Sequence, residues 1–170
     1  MEPGIIIRPF TSADSIPEIT RLLHLAYRSL LDQGMRYNAS HQDDQATLRR
    51  CLQGETYLAI KDEKIVGTIT LKSLERTKGS SWYDRPNVAS FGQFAVQPEL
   101  QKKGIGTKLL DTIENRAREL SIDELALDTA DGASNLIAMY ESRGYRFIEY
   151  ANWETTNYRS VILSKKLSCL

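Results

Sequence analysis

Between residues 101 and 107 the chain reads Gln101-Lys102-Lys103-Gly104-Ile105-Gly106-Thr107, the segment best suited to chemistry. It follows an apolar stretch, Phe94-Ala95-Val96, and leads into Ile105, Leu109, Leu110, Ile113, Ala117 and Leu120. Those apolar positions recur at the 3.6-residue period of a helix face. A strand that delivers lysines and glycines to a helix start builds an anion site. The first helical N–H groups have no partner within the helix, and the dipole adds partial positive charge. Glycine lets a ligand approach the backbone because it has no Cβ. Lys102, Lys103 and Lys108 add a local basic patch. A Walker loop, with its longer cradle and Gly-Lys-Ser/Thr ending, is absent, and Leu109 stands where a dinucleotide fingerprint needs a third glycine. A glycine-rich turn that only caps a helix would share this pattern, so other segments must decide its meaning.

The elements that must position this turn can be read from periodicity. Ile5-Ile6-Ile7 predicts a short strand ended by Pro9. Thr11 or Ser12 is expected to cap a helix carrying Ile16, Ile19, Leu22, Leu23, Ala26, Tyr27 and Leu30 on one face, broken by Gly34. A second helix is expected over about 42–52, stopped by Gly54. Strands follow at 56–61 and 65–72, around a polar turn at Asp62-Glu63-Lys64. Residues 74–87 are polar and predict a loop, which also holds Trp82 and Tyr83. A strand at 89–96 enters the basic turn, and another at 125–127 follows its helix. Ser134 is expected to cap a short helix ending at Gly144, before strands at 145–150 and 160–164. This order predicts a single domain over 1–170 of α/β (α+β) type, a mixed six- to seven-stranded sheet flanked by about four helices.

Composition excludes some roles. Twenty-two basic and 22 acidic side chains cancel, which argues against a general polyanion binder, so no nucleic-acid partner is expected. No apolar run approaches the ~20 residues that span a bilayer, so no membrane partner is expected either. Pro3, Gly4 and an alternating strand do not resemble a signal peptide. Cys51 and Cys169 form no disulfide framework, and a cytoplasmic protein with free thiols is the expectation. No metal is expected.

Two motifs and the order of elements then converge. Gln101-x-x-Gly104-x-Gly106 resembles the pyrophosphate loop of the GNAT superfamily of acyl-CoA-dependent N-acyltransferases. Asn135, Ala138, Tyr140, Gly144 and Tyr145 resemble its short helix and the glycine-aromatic pair after it. The resemblance covers nearly the whole chain and implies a sheet splayed at its centre, with acetyl-CoA bound in the splay. It implies that Phe94, Ala95 and Val96 pair with the pantetheine arm, and that the pyrophosphate sits on the amides of Gln101, Lys102, Lys103, Gly104, Ile105, Gly106 and Thr107. Asn135 would bond the pantetheine amides. Arg143 would contact CoA phosphates or serve the helix C-terminus, where a cation is favourable. An oxyanion donor would come from a backbone N–H near Ala95 or Val96.

Tyr140 is the catalytic candidate that the resemblance implies. A neutral amine attacks the thioester and CoA thiolate departs. Full proton transfer from a tyrosine (pKa ~10) to a thiolate (~8.5) is uphill by roughly 2 kcal/mol. Tyr140 is therefore expected to donate a hydrogen bond to the developing thiolate. Many family members carry a glutamate on the motif strand as base, whereas this chain has Gly92-Gln93, and an amide cannot take a proton at neutral pH. His24, His41 and Glu99 titrate, but His24 lies among core positions and nothing in the sequence brings His41 or Glu99 to the reaction centre.

The resemblance places the acceptor pocket on segments 31–40, 74–87 and 151–159, which hold Tyr37, Trp82, Tyr83, Trp153 and Tyr158. Such rings suit a small amphipathic amine or a peptide end through stacking and cation–π contact. They equally suit a homodimer interface. The leading expectation is acetyl transfer to a primary amine of a small molecule through a ternary complex. Peptide or protein N-acetylation and a non-catalytic acyl-CoA sensor are the alternatives.

Overall fold

The computed structural model describes residues 4–168. Its elements follow the expected order: β1 (Ile6–Pro9), α1 (Ile16–Ala26), α2 (Arg28–Asp32), α3 (Asp44–Cys51), β2 (Gly54–Lys61), β3 (Lys64–Lys72), β4 (Val88–Val96), α4 (Ile105–Glu119), β5 (Glu124–Ala130), α5 (Ser134–Ser142), β6 (Arg146–Asn152) and β7 (Arg159–Lys166). Among the described residues they form one seven-stranded mixed sheet in the order β1-β2-β3-β4-β5-β7-β6. All neighbouring pairs are antiparallel except β4 and β5.

Neighbouring strand residues divide between two apolar layers, as the period-2 alternation of a strand requires. Ala59, Val66 and Val96 join the layer under α4 and α5, while Leu58, Ile65 and Ala95 join the layer under α1 and α3. On α4, Ile105, Leu109, Leu110, Ile113 and Ala117 are all buried. Burying a Leu or Ile side chain stabilises by about 1.5–3 kcal/mol, so this face anchors α4 against the sheet. Leu120, expected on the same face, is the exposed C-terminal cap, because the helix ends there.

Three other local expectations change. The first long helix breaks at Tyr27, where ψ rises to 4°, into α1 and α2. Its N-cap is Ser15, whose Oγ accepts from the Glu18 amide, and not Thr11 or Ser12. Pro17 in the first helical turn explains the later start, since its missing N–H costs nothing there. On α5 the cap position is Ala133, and Ser134 is already helical.

The sheet opens between β4 and β5. The two strands pair only at Val88–Glu124, Ala89–Leu125 and Ser90–Ala126. Beyond Ser90 a β-bulge lengthens β4: Thr68 faces Ala95 and Thr70 faces Gly92, so one strand carries an extra residue. Gln93 sits in that bulge in the left-handed region, at φ 48°. A bulge bends its strand and increases its twist, and here it lies where β4 leaves β5. The left-handed conformation costs a non-glycine residue about 1 kcal/mol or more, and buried hydrogen bonds hold it in place.

Candidate active site

Two cavities flank the splay. The first, of about 570 Å³, runs between β4, the start of α4, α5 and the α1–α2 break. Its floor includes Ala95 and Val96, which have no β5 partner. Gly104 precedes α4 in a left-handed conformation at φ 91°, and no side chain caps the helix. The space where a Cβ of Gly104 would lie is open. Gly106 differs: a Cβ there would come within 3.3 Å of the Phe94 ring, so this glycine lets α4 approach β4. The Gln101 side-chain amide donates to the Val96 carbonyl at 3.2 Å and ties the turn back to the strand. The arrangement is a helix N-terminus with unpaired amides, facing a groove along an unpaired strand edge. It can hold a long ligand with an anionic end.

The second cavity, of about 260 Å³, lies on the other side of the splay. Tyr37, Tyr83, Trp153 and Tyr158 line it. Asp128, on β5, stands among them and accepts hydrogen bonds from the Tyr83 hydroxyl at 2.7 Å and the Trp153 Nε1–H at 3.1 Å. Burial and this carboxylate keep the Tyr83 phenol well above the usual tyrosine range, so it stays a donor. Tyr37 accepts from the Ala130 amide at 3.0 Å, and its hydroxyl lies 2.6 Å from Thr129 Oγ1. Its ring lies 4.9 Å from Tyr158 and 5.2 Å from Tyr27. Arg50 and Lys72 line the wall beside Gly92, and Lys78 lies at the rim.

The cavities meet at Tyr27, Phe94, Leu136 and Tyr140, which line both. Tyr140 is only 5% exposed. Burial holds its phenol well above the ordinary value, so it is protonated at neutral pH. The Tyr27 hydroxyl donates to the Phe94 carbonyl at 2.9 Å, which occupies one acceptor on the strand edge. The helix break at Tyr27 thus brings a ring to the junction. In sequence that ring reads as an ordinary core position on a continuous helix face.

Most of the expected residues gather here. Phe94, Ala95, Val96, Gln101, Lys102, Gly104, Gly106, Thr107, Asn135, Tyr140 and Arg143 line the first cavity. Lys103 and Ile105 lie outside its lining, and the Ile105 side chain is buried in the core. Arg143 reaches the groove, yet its guanidinium is held by Asp111 at 2.8 Å and Glu114 at 3.1 Å. Trp82 differs from the other rings, since it packs on the cluster of Tyr83, Val88, Ala126 and Ile162 without reaching the cavity. It lies outside the second cavity, with Arg85 4.5 Å over its face and Arg146 at 5.7 Å. His24 bonds the Gln42 backbone carbonyl at 2.7 Å, and neither it, His41 nor Glu99 lines either cavity.

Gln93 is buried and accepts from the Gln42 side-chain amide at 2.7 Å. Gln42 in turn accepts from Arg50 at 2.6 Å. Asp128 and Arg50 are the functional candidates that sequence reasoning missed. Asp128 directly follows Leu125-Ala126-Leu127, and extending that strand by one residue would have exposed it as a carboxylate at a strand end. Arg50 gave no signal beyond a helical charge.

Residues 17–145 match the acetyltransferase (GNAT) family, and the chain belongs to that family. It is 33% identical over 150 residues to the S-(2-succino)cysteine N-acetyltransferase of Bacillus subtilis (strain 168), with 85% of each chain covered. Among solved structures, a GNAT family acetyltransferase from Elizabethkingia anophelis with acetyl-CoA bound superposes with a TM-score of 0.68 at 22% identity. That match covers 98% of this chain and 100% of that one. The ribosomal-protein-S18-alanine N-acetyltransferase from Escherichia coli superposes with a TM-score of 0.73 at 14% identity, over 98% and 96% of the two chains. At these identities the structures speak for the fold, and it is the expected splayed mixed sheet. The family membership makes the protein an acetyl-CoA-dependent acetyltransferase.

Proposed function

We propose that the protein acetylates the amine of a small molecule in a ternary complex formed where the two cavities meet. The observation that carries this reading is the shared wall of Tyr27, Phe94, Leu136 and Tyr140. A donor in the groove and an acceptor in the pocket would touch across it, with no second site to travel to. The pocket's modest volume and its walls from several separate segments fit a small molecule better than a polypeptide end. The Bacillus subtilis relative is named for a small amino-acid derivative, and S-(2-succino)cysteine is the first acceptor to test.

Acetyl-CoA supplies the activated thioester. The amides from Gly104 to Thr107 hold its pyrophosphate, Asn135 meets the pantetheine, and an N–H of Ala95 or Val96 faces the developing oxyanion. Tyr140, kept protonated by burial, donates to the departing sulfur. Asp128 is the one carboxylate among the residues lining the pocket, and two neutral donors fix its position. It receives the amine's proton, directly or through one water, in the role that Gln93 cannot fill.

The test is the rate of CoA thiol release from acetyl-CoA with a panel of amines, amino acids, polyamines, aminoglycosides and peptides. Transfer to one small amine with kcat/KM well above the rest is expected. Binding of acetyl-CoA without transfer to any amine or peptide would favour an acyl-CoA sensor instead.

A further inference from the structure

The charged side chains of the acceptor pocket are unbalanced. Arg50, Lys72 and Lys78 line it against a single carboxylate, Asp128. Asp128 already accepts from Tyr83 and Trp153, and among the described residues neither Arg50 nor Lys72 forms an ion pair. Both cations converge on the space left by a missing side chain. The position a Cβ on Gly92 would take lies 3.6 Å from Arg50 Nη2 and 3.9 Å from Lys72 Nζ. Arg50 is held there from behind, because its Nη1 donates to Gln42 Oε1, which leaves Nη2 for the pocket. Burial and the neighbouring guanidinium push the Lys72 ammonium below its ordinary value, although Asp128 acts in the opposite sense. Like charges held close in a poorly solvated wall are costly unless an anion joins them.

Resting on the proposed small-molecule activity, we infer that this pocket selects amines that also carry carboxylates, which bind between Arg50 and Lys72 beside Gly92. A carboxylate has two oxygens, one for the guanidinium and one for the ammonium, and bonds of this charge-assisted kind are strong and directional. Asp128 then faces the amine end, so the pocket is complementary to a zwitterion with excess negative charge. Polyamines and aminoglycosides meet three cations and are disfavoured. Lys78 at the rim serves a second carboxylate on a longer acceptor.

Calorimetry with CoA saturating the groove tests this without turnover. The probes are S-(2-succino)cysteine, the same compound with every carboxylate converted to amide, O-phosphoethanolamine and spermidine. The carboxylated compound is expected to bind, and each of Lys72→Met and Arg50→Gln to weaken it by about tenfold or more while CoA affinity is unchanged. Among the described residues the Lys72 side chain makes no hydrogen bond, so Lys72→Met serves if Arg50→Gln, which loosens Gln42, fails to fold. Equal or better binding of the amide, the phosphorylated compound or spermidine overturns the inference. So does an affinity for the carboxylated probe that neither variant changes, or no binding of that probe at all. Carboxylate binding without transfer to any amine overturns the proposed activity and leaves the inference standing. Best transfer to a neutral or cationic amine does the reverse.

Discussion

In the proposed mechanism Tyr140 donates a hydrogen bond to the departing sulfur and Asp128 takes the amine's proton, and each role makes a separate prediction. Tyr140→Phe removes a hydroxyl and little volume, so the packing with Phe91 and Tyr145, at 6.0 and 5.8 Å, survives. The expected outcome is a kcat lower by about 10²-fold, with the KM for acetyl-CoA nearly unchanged. An unchanged kcat in steady-state assays would remove Tyr140 from the mechanism. Asp128→Asn keeps an acceptor for one of its two donors and loses the base. It should lower kcat/KM for the acceptor by about 10²-fold or more, mostly through kcat. A raised KM with kcat unchanged would mean that Asp128 only positions Tyr83 and Trp153.

At the scale of elements, the site depends on where strands and helices stop cooperating. The bulge at Gln93 bends β4, the break at Tyr27 turns a helix toward it, and the glycine at 106 lets α4 lie against Phe94. The first strand needs its own tether, since β1 lies at the sheet edge. Asp14 supplies it. Its carboxylate accepts from Arg8 at 2.6 and 2.9 Å and from the Thr11 amide at 2.8 Å. The Arg8 guanidinium holds that carboxyl at about 2, below the ordinary 3.8. A carboxylate with a depressed folded-state pKa contributes stability that is complete above its unfolded value and fades as pH falls through the folded one. Asp14→Asn should therefore melt at a lower temperature than the parent at neutral pH, with the gap closing between about pH 4 and pH 2. Melting curves recorded across that range decide it; a constant gap would mean that the pair is not the source.

For the molecule as a whole, two apolar layers pack on the sheet while β4 and β5 stay unpaired beyond Ser90, so a ligand that bridges β4 and α4 fills a gap the fold leaves. Acetyl-CoA at about 100 times its Kd should add about 2.7 kcal/mol of stability by mass action, which raises Tm by about 5–10 °C in a chain of this size. A thermal-shift titration reads this directly, and no rise at saturating acetyl-CoA would contradict the groove as the donor site. Among the described residues no helix is long and apolar enough to cross a membrane.

The turn from Gln101 to Gly106 was legible because its information is local. Glycines at 104 and 106 and the helical face behind them depend on neighbours within a few residues, and the short α5 with Asn135 and Tyr140 is equally local. The order of strands was legible for the same reason, as periodicity and turn residues act at short range. The acceptor pocket was legible only as a list of rings, from which the structure removes Trp82. What joins Arg50 on α3, Lys72 at the end of β3 and Asp128 on β5 is the sheet order, and no spacing along the chain encodes it. The sequence by itself determined the glycine turn and helix start at one end of the first cavity, because one continuous segment forms them. Tertiary structure alone decided the second cavity, because its charges come from elements distant in sequence and acquire meaning only through proximity and burial.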